Sequence, residues 1–157
     1  MISLFAPFRQ RPRRGLPPSL AGTLILAAAM ASCSPTVLPS TSLWSADLAP
    51  TTPAGVTGML GALSRSGSTE FSMQVNLGES GTTYLWRVSH GDCGTEGSLV
   101  AGKAVYPAMV ASDGGSASAD AVVAGELTSG EGYAARILRD SGGGEQVLAC
   151  GVLHQTK

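Results

Sequence analysis

From Gly55 onward, apolar and polar residues alternate with period two, the signature of strands that bury one face. The clearest case is Phe71-Ser72-Met73-Gln74-Val75-Asn76-Leu77, where Phe71, Met73, Val75 and Leu77 share a side. After the turn Gly78-Glu79-Ser80-Gly81 the pattern resumes over Thr82 to Ser89, with Tyr84, Trp86 and Val88 inward. Upstream, Val56 to Leu63 reads as a strand that ends in the turn Arg65-Ser66-Gly67-Ser68. Downstream, Leu99 to Tyr106 is a candidate strand stopped by Pro107, which cannot donate to a ladder. Asp113-Gly114-Gly115-Ser116 turns the chain into Ala119 to Leu127, with Ala121, Val123 and Leu127 inward. Ser129-Gly130-Glu131-Gly132 leads to Tyr133, Ala135 and Ile137, and Asp140 to Gly144 leads to a last strand, Val147 to Leu153. Seven short strands separated by Gly-rich turns, with no helical periodicity between them, predict an all-β domain over residues 55–157. Strands this short need two facing layers to make a core, so the expected fold is an antiparallel Greek-key β-sandwich, with an open barrel as the alternative.

The first 54 residues follow other rules. Met1 to Ser19 contains four arginines and no acid, and Leu20 to Ala31 is a run of twelve residues dominated by apolar side chains. Crossing a bilayer takes about 20 apolar residues, so this run fits the core of an export signal rather than a membrane span. Met30-Ala31-Ser32-Cys33 then resembles the lipobox of bacterial lipoproteins, which implies a signal peptide over residues 1–32 and acylation of Cys33. An ordinary signal cleaved near Ala31, with Cys33 an incidental thiol, is the alternative. The Arg13-Arg14 pair is a weak hint of twin-arginine export. Residues 33–54 are rich in Pro, Ser and Thr, and read as a flexible tether with Trp44 loosely docked or at the membrane interface.

Removing the first 32 residues changes the electrostatic picture. The whole chain has 10 basic and 11 acidic side chains, but four of the basic ones (Arg9, Arg11, Arg13, Arg14) lie in the leader. Ten minus four leaves six against eleven, a net charge of −5 for the exported part. Binding nucleic acid relies on clustered Lys and Arg, so nucleic acid is excluded as a partner. The expected partner is the membrane, through the lipid anchor, together with an unidentified protein or small molecule. The expected location is the bacterial cell envelope, membrane or periplasm.

The same export makes the cysteines informative. If Cys33 is acylated, Cys93 and Cys150 remain as a pair in an oxidising compartment, which favours a disulfide over two buried free thiols.

Leu148-Ala149-Cys150-Gly151-Val152 resembles the terminal strand of copper/zinc superoxide dismutases, in which that cysteine bonds to one in an earlier loop. Cys93, just after His90-Gly91-Asp92, is similar to the earlier cysteine, and Val56-Thr57-Gly58-Met59-Leu60 to the family's first strand. The resemblance implies the sandwich and the disulfide over about residues 55–153. It does not extend to the chemistry, because the family holds copper with four histidines and this chain has two, His90 and His154. Arg87, Val88 and Ser89 precede His90 where the family has a second ligand, and only five residues separate Cys93 from the next expected strand. The arginine that guides superoxide is replaced by Val147; Arg136 or Arg139 could lie near that place in the fold, though neither matches the motif.

No catalytic constellation, metal site or cofactor is therefore expected. His90 beside Asp92 is a weak metal or proton-site candidate, with copper the metal it would take. The reading is a lipid-anchored, non-catalytic sandwich that binds a partner or builds the envelope. The alternatives are a reduced superoxide dismutase or copper-handling protein, and a ligand-binding module using the loops Ser112–Ser118 and Ser141–Gly144.

Overall fold

The structure is a computed structural model that describes residues 41–53 and 55–156. Among the described residues, ten strands make one antiparallel sheet that curls until its two halves face each other. They are β1 (Thr41–Pro50), β2 (Thr57–Arg65), β3 (Ser68–Asn76), β4 (Thr83–Gly91) and β5 (Glu96–Leu99), then β6 (Met109–Val110), β7 (Ala117–Ala124), β8 (Tyr133–Asp140), β9 (Glu145–Val152) and β10 (His154–Thr156). The order across the sheet is β5-β4-β8-β9-β1-β2-β3-β7, with β10 on β1 and β6 on β4. Only β1-β2-β3 and β8-β9 follow chain order along that path beside the β4–β5 edge. The links from β3 to β4 and from β7 to β8 cross between the halves, the Greek-key pattern.

The alternating positions fill the space between the halves. Leu60, Phe71, Met73 and Val75 from one half meet Tyr84, Trp86, Val88 and Ile137 from the other, all buried. Trp44 and Tyr133 meet edge to face, with centroids 5.8 Å apart, and Trp86 and Tyr106 do the same at 5.0 Å. Each indole N–H is satisfied: Trp44 donates to Ser42 Oγ and Trp86 to the Pro107 carbonyl.

Two glycines set this architecture. Ser66 and Gly67, both at positive φ (38° and 84°), make the two-residue primed turn whose twist matches a tight β2–β3 hairpin. Gly151 lets β9 press against β1, because a Cβ there would run into the Asp47 carbonyl.

Three expectations are corrected. Residues 41–50 of the expected tether are strand β1, and Trp44, Ala46 and Leu48 on it are core, with Trp44 only 5% exposed. Its first part pairs with β2 and β10 and its end with β9, so it joins the two halves. The segment expected as the first strand, Val56 to Leu63, is accordingly the second. Next, Leu99 to Tyr106 is not a strand. Val100 donates its N–H to Val88, Lys103–Val105 forms one 3-10 turn, and Tyr106 drops into the core beside Trp86. Finally, Leu77 leaves the inward series of β3: it sits at φ 59°, outside the strand, and is exposed. Cys33 and the expected signal peptide lie outside the described residues.

Candidate functional site

The loop after β4 and strand β9 come together at the outer side of the β4–β8–β9 layer. Cys93 and Cys150 are bonded there, with Cα atoms 5.8 Å apart and a sequence separation of 57. Closing a loop of that length stabilises by about 4 kcal/mol in the chain-entropy model. Asp92 shapes the loop from inside, since its Oδ1 accepts the N–H groups of Gly94 and Thr95, each at 2.8 Å.

Beneath this loop lie two arginines in register on neighbouring strands, Arg87 on β4 and Arg136 on β8. Both occupy the outward parity of the layer, yet both are buried, Arg136 to 3% exposure. Arg136 stands opposite Cys150 and donates to Ser89 Oγ and, at 2.6 Å, to the Asp92 carbonyl. Its guanidinium thus ties three features together, β4, β8 and the residue before Cys93. Arg87 bonds the Glu145 carboxylate, and Glu96 Oε1 lies 3.0 Å from its Nε. That Nε makes no aligned hydrogen bond, so the Glu96 contact is an ion pair only. Lys103 reaches both oxygens of Glu145 at 3.0 and 2.9 Å. Hydrogen bonds from Arg87 and Lys103 hold the Glu145 carboxyl below its ordinary pKa.

His90 belongs to a different cluster. Its ring stacks obliquely on Tyr133, centroids 5.0 Å apart, and its Nδ1 lies 3.6 Å from Glu131 Oε2. Tyr133 donates to the same Glu131 oxygen at 2.8 Å and accepts the Thr128 N–H at 3.0 Å. Burial pushes the Tyr133 hydroxyl above its ordinary pKa. Asp92, expected to accompany His90, is turned to its own loop instead. His154 is exposed on β10, opposite Ser45 of β1. Among the described residues no three His, Cys, Asp or Glu side chains gather closely enough to hold a metal ion.

Of the residues read from sequence, Cys93 and Cys150 are brought together, while His90 and His154 stand on different strands. Between the two arginines left open, Arg136 is the one at the disulfide, and Arg139 points to Glu79 at 3.6 Å. The clamp formed by Arg87, Glu96, Lys103 and Glu145 was missed. Its signal was present: an arginine inside an otherwise apolar strand, as in Tyr84-Leu-Trp-Arg87-Val and Ala134-Ala-Arg136-Ile-Leu, rarely stays unpaired. The loop Ser112–Ser118 borders an open hollow of about 470 Å3, lined by Gln74, Asn76, Val110, Ser112, Ser116 and Ser118. Ser141–Gly144 does not contribute to it. No protein-family model matches the chain, and no curated protein matches it either.

Proposed function

We propose that this is a bacterial lipoprotein, acylated at Cys33, that displays a non-catalytic superoxide-dismutase-like sandwich from the cell envelope membrane as a binding or structural module. The observation that carries the reading is the use made of the polar groups around the disulfide. A guiding arginine must face substrate, whereas Arg136 is buried and bound to Ser89 and the Asp92 carbonyl. The copper–zinc chemistry of that family does not fit the donor set at His90. Its ion-pair partner is Glu131 at 3.6 Å, that oxygen already accepts from Tyr133, and Asp92 is turned to its own loop, its Oδ1 accepting two backbone N–H groups. Polar groups committed to holding a loop serve structure, and the bond between Cys93 and Cys150 supports the family resemblance at the same place.

The test uses the exported full-length protein. Membrane fractionation with mass analysis should find diacylated Cys33, and Cys33→Ser should release the protein or block its processing. Protein exposed to copper and zinc and then dialysed should retain neither stoichiometrically and dismutate superoxide no faster than free copper. Stoichiometric copper and fast dismutation, both lost in His90→Ala, would overturn the reading in favour of a reduced dismutase. A second reading, a small-ligand module, is favoured by the hollow beside Ser112–Ser118. Protection of Ser112 or Ser116 from labelling by a component of an envelope extract would select it.

A further inference from the structure

At the end of the β3–β7 seam remote from the β2–β3 turn, polar side chains gather without charge. Gln74 of β3 stands opposite Ser118 of β7 and Val75 opposite Ala117, so the same register carries Asn76 to Ser116. All four polar residues are exposed. Val110 and Ser112 wall the other side, and the space between is the hollow of about 470 Å3 beside Ser112–Ser118. That volume falls within the range of small-molecule pockets, roughly 300–1,000 Å3. Among the described residues, the amides of Gln74 and Asn76 and the hydroxyl of Ser118 bond to no protein group.

The rim is fixed by the chain's own bonds. Ser112 donates its N–H to the Ser116 carbonyl at 2.9 Å, and Gly115 donates back to the Ser112 carbonyl at 2.8 Å. The Gly78 N–H reaches the Gly115 carbonyl at 2.8 Å, and Ala111 is bonded to both Gly81 and Thr82. Gly115 sits at φ 74°, and a Cβ there would stand 2.5 Å from the Gly78 carbonyl, so the two turns meet only because it is glycine. A rim already tied in place has little left to order when a ligand enters, which removes part of the cost of binding.

The chemistry of the lining selects the ligand. No lining side chain is charged, so an ionic ligand would find no counter-charge. An apolar ligand would take water from the amides and hydroxyls and return no hydrogen bond. An added peptide strand needs free backbone groups, and the Ser112 N–H and Ser116 carbonyl already serve each other. Amides and hydroxyls both donate and accept, so they pair with the adjacent hydroxyls of a sugar ring. Val110, 63% exposed, offers the apolar contact that the C–H face of such a ring requires.

We propose that this hollow binds a neutral saccharide, with Gln74, Asn76 and Ser118 bonding its hydroxyls and Val110 against its ring. The proposal rests on the small-ligand reading and names the ligand class.

Full-length protein in mild detergent is titrated with maltotriose, mannotriose and chitotriose in a calorimeter, with trigalacturonate and acetyl-trialanine amide as charged and peptide probes. A neutral trisaccharide is expected to bind at millimolar concentration, and more tightly than either of those two. Gln74→Ala and Asn76→Ala should each weaken that binding about threefold to tenfold, the loss of a neutral hydrogen bond. Val122→Thr, exposed but outside the hollow, should bind as the wild type does. Failure of all three trisaccharides, preference for the charged or peptide probe, or binding unchanged in both alanine variants would overturn the proposal. Protection of Ser112 by an envelope extract with no trisaccharide bound would refute the saccharide and keep the small-ligand reading. Neither protection nor binding would refute both.

Discussion

The two outer sides of the sandwich follow the same alternation yet end in opposite states. On the β1–β2–β3–β7 side, outward residues such as Glu70, Ser72, Asp120 and Val122 stay in water. On the β4–β8–β9 side, the outward positions Arg87, Ser89 and Arg136 are buried, because the loop from Gly91 to Glu96 is pinned over that region by Arg136, the disulfide and the Arg87–Glu96 pair. Period two therefore tells which face a residue is on, and not whether that face is covered. What covers the second side is a set of long-range bonds, and each is individually removable.

The largest effect on this contrast is expected from the disulfide. Cys150→Ser should lower stability by about 2–5 kcal/mol in denaturant melts of the oxidised protein, against no loss when both proteins are reduced. Should oxidised and reduced wild type melt together, the loop is held by something other than the bond. Arg136→Ala comes next, at about 2–4 kcal/mol, because it empties a buried volume and strands the Ser89 hydroxyl and the Asp92 carbonyl. The two losses should not add, since both free the same loop; a double variant equal to the sum would show two independent regions.

Glu145→Gln is smaller and has a pH signature. The Glu145 pKa is lowered in the folded protein by Arg87 and Lys103, so its contribution is present above the unfolded value near 4.5 and fades as pH falls through the folded value. Wild type should thus lose more stability than the glutamine variant on acidification below about pH 4.5, and parallel acid limbs would refute the clamp. The smallest effect belongs to the open side. Val122→Thr should change stability by no more than about 0.5 kcal/mol, as expected for an exposed strand position, measured in dilute monomer. A loss several times larger would mean that this side is covered too.

Reading the strands from the chain alone works where local pattern and local turns suffice. Phe71 to Val75, Tyr84 to Val88 and the β2–β3 turn at Ser66-Gly67 are legible because alternation and turn chemistry are properties of neighbours. The cysteines, read with the expectation of export, point to the Cys93–Cys150 bond and so to the place where the loop meets β9. Three features were decided by tertiary structure. Residues 41–50 look like spacer because Ser, Pro and Ala give weak alternation, and the strand exists through pairing with β2 on one side and with the distant C-terminal strands β9 and β10. Leu99 to Tyr106 has strand-like residues, but the gap between β4 and β7 is filled by a 3-10 turn and a buried Tyr106. Arg87 and Arg136 have outward parity in sequence, and only the loop folded over them makes them interior, because burial is set by what packs from afar and not by the strand's own period.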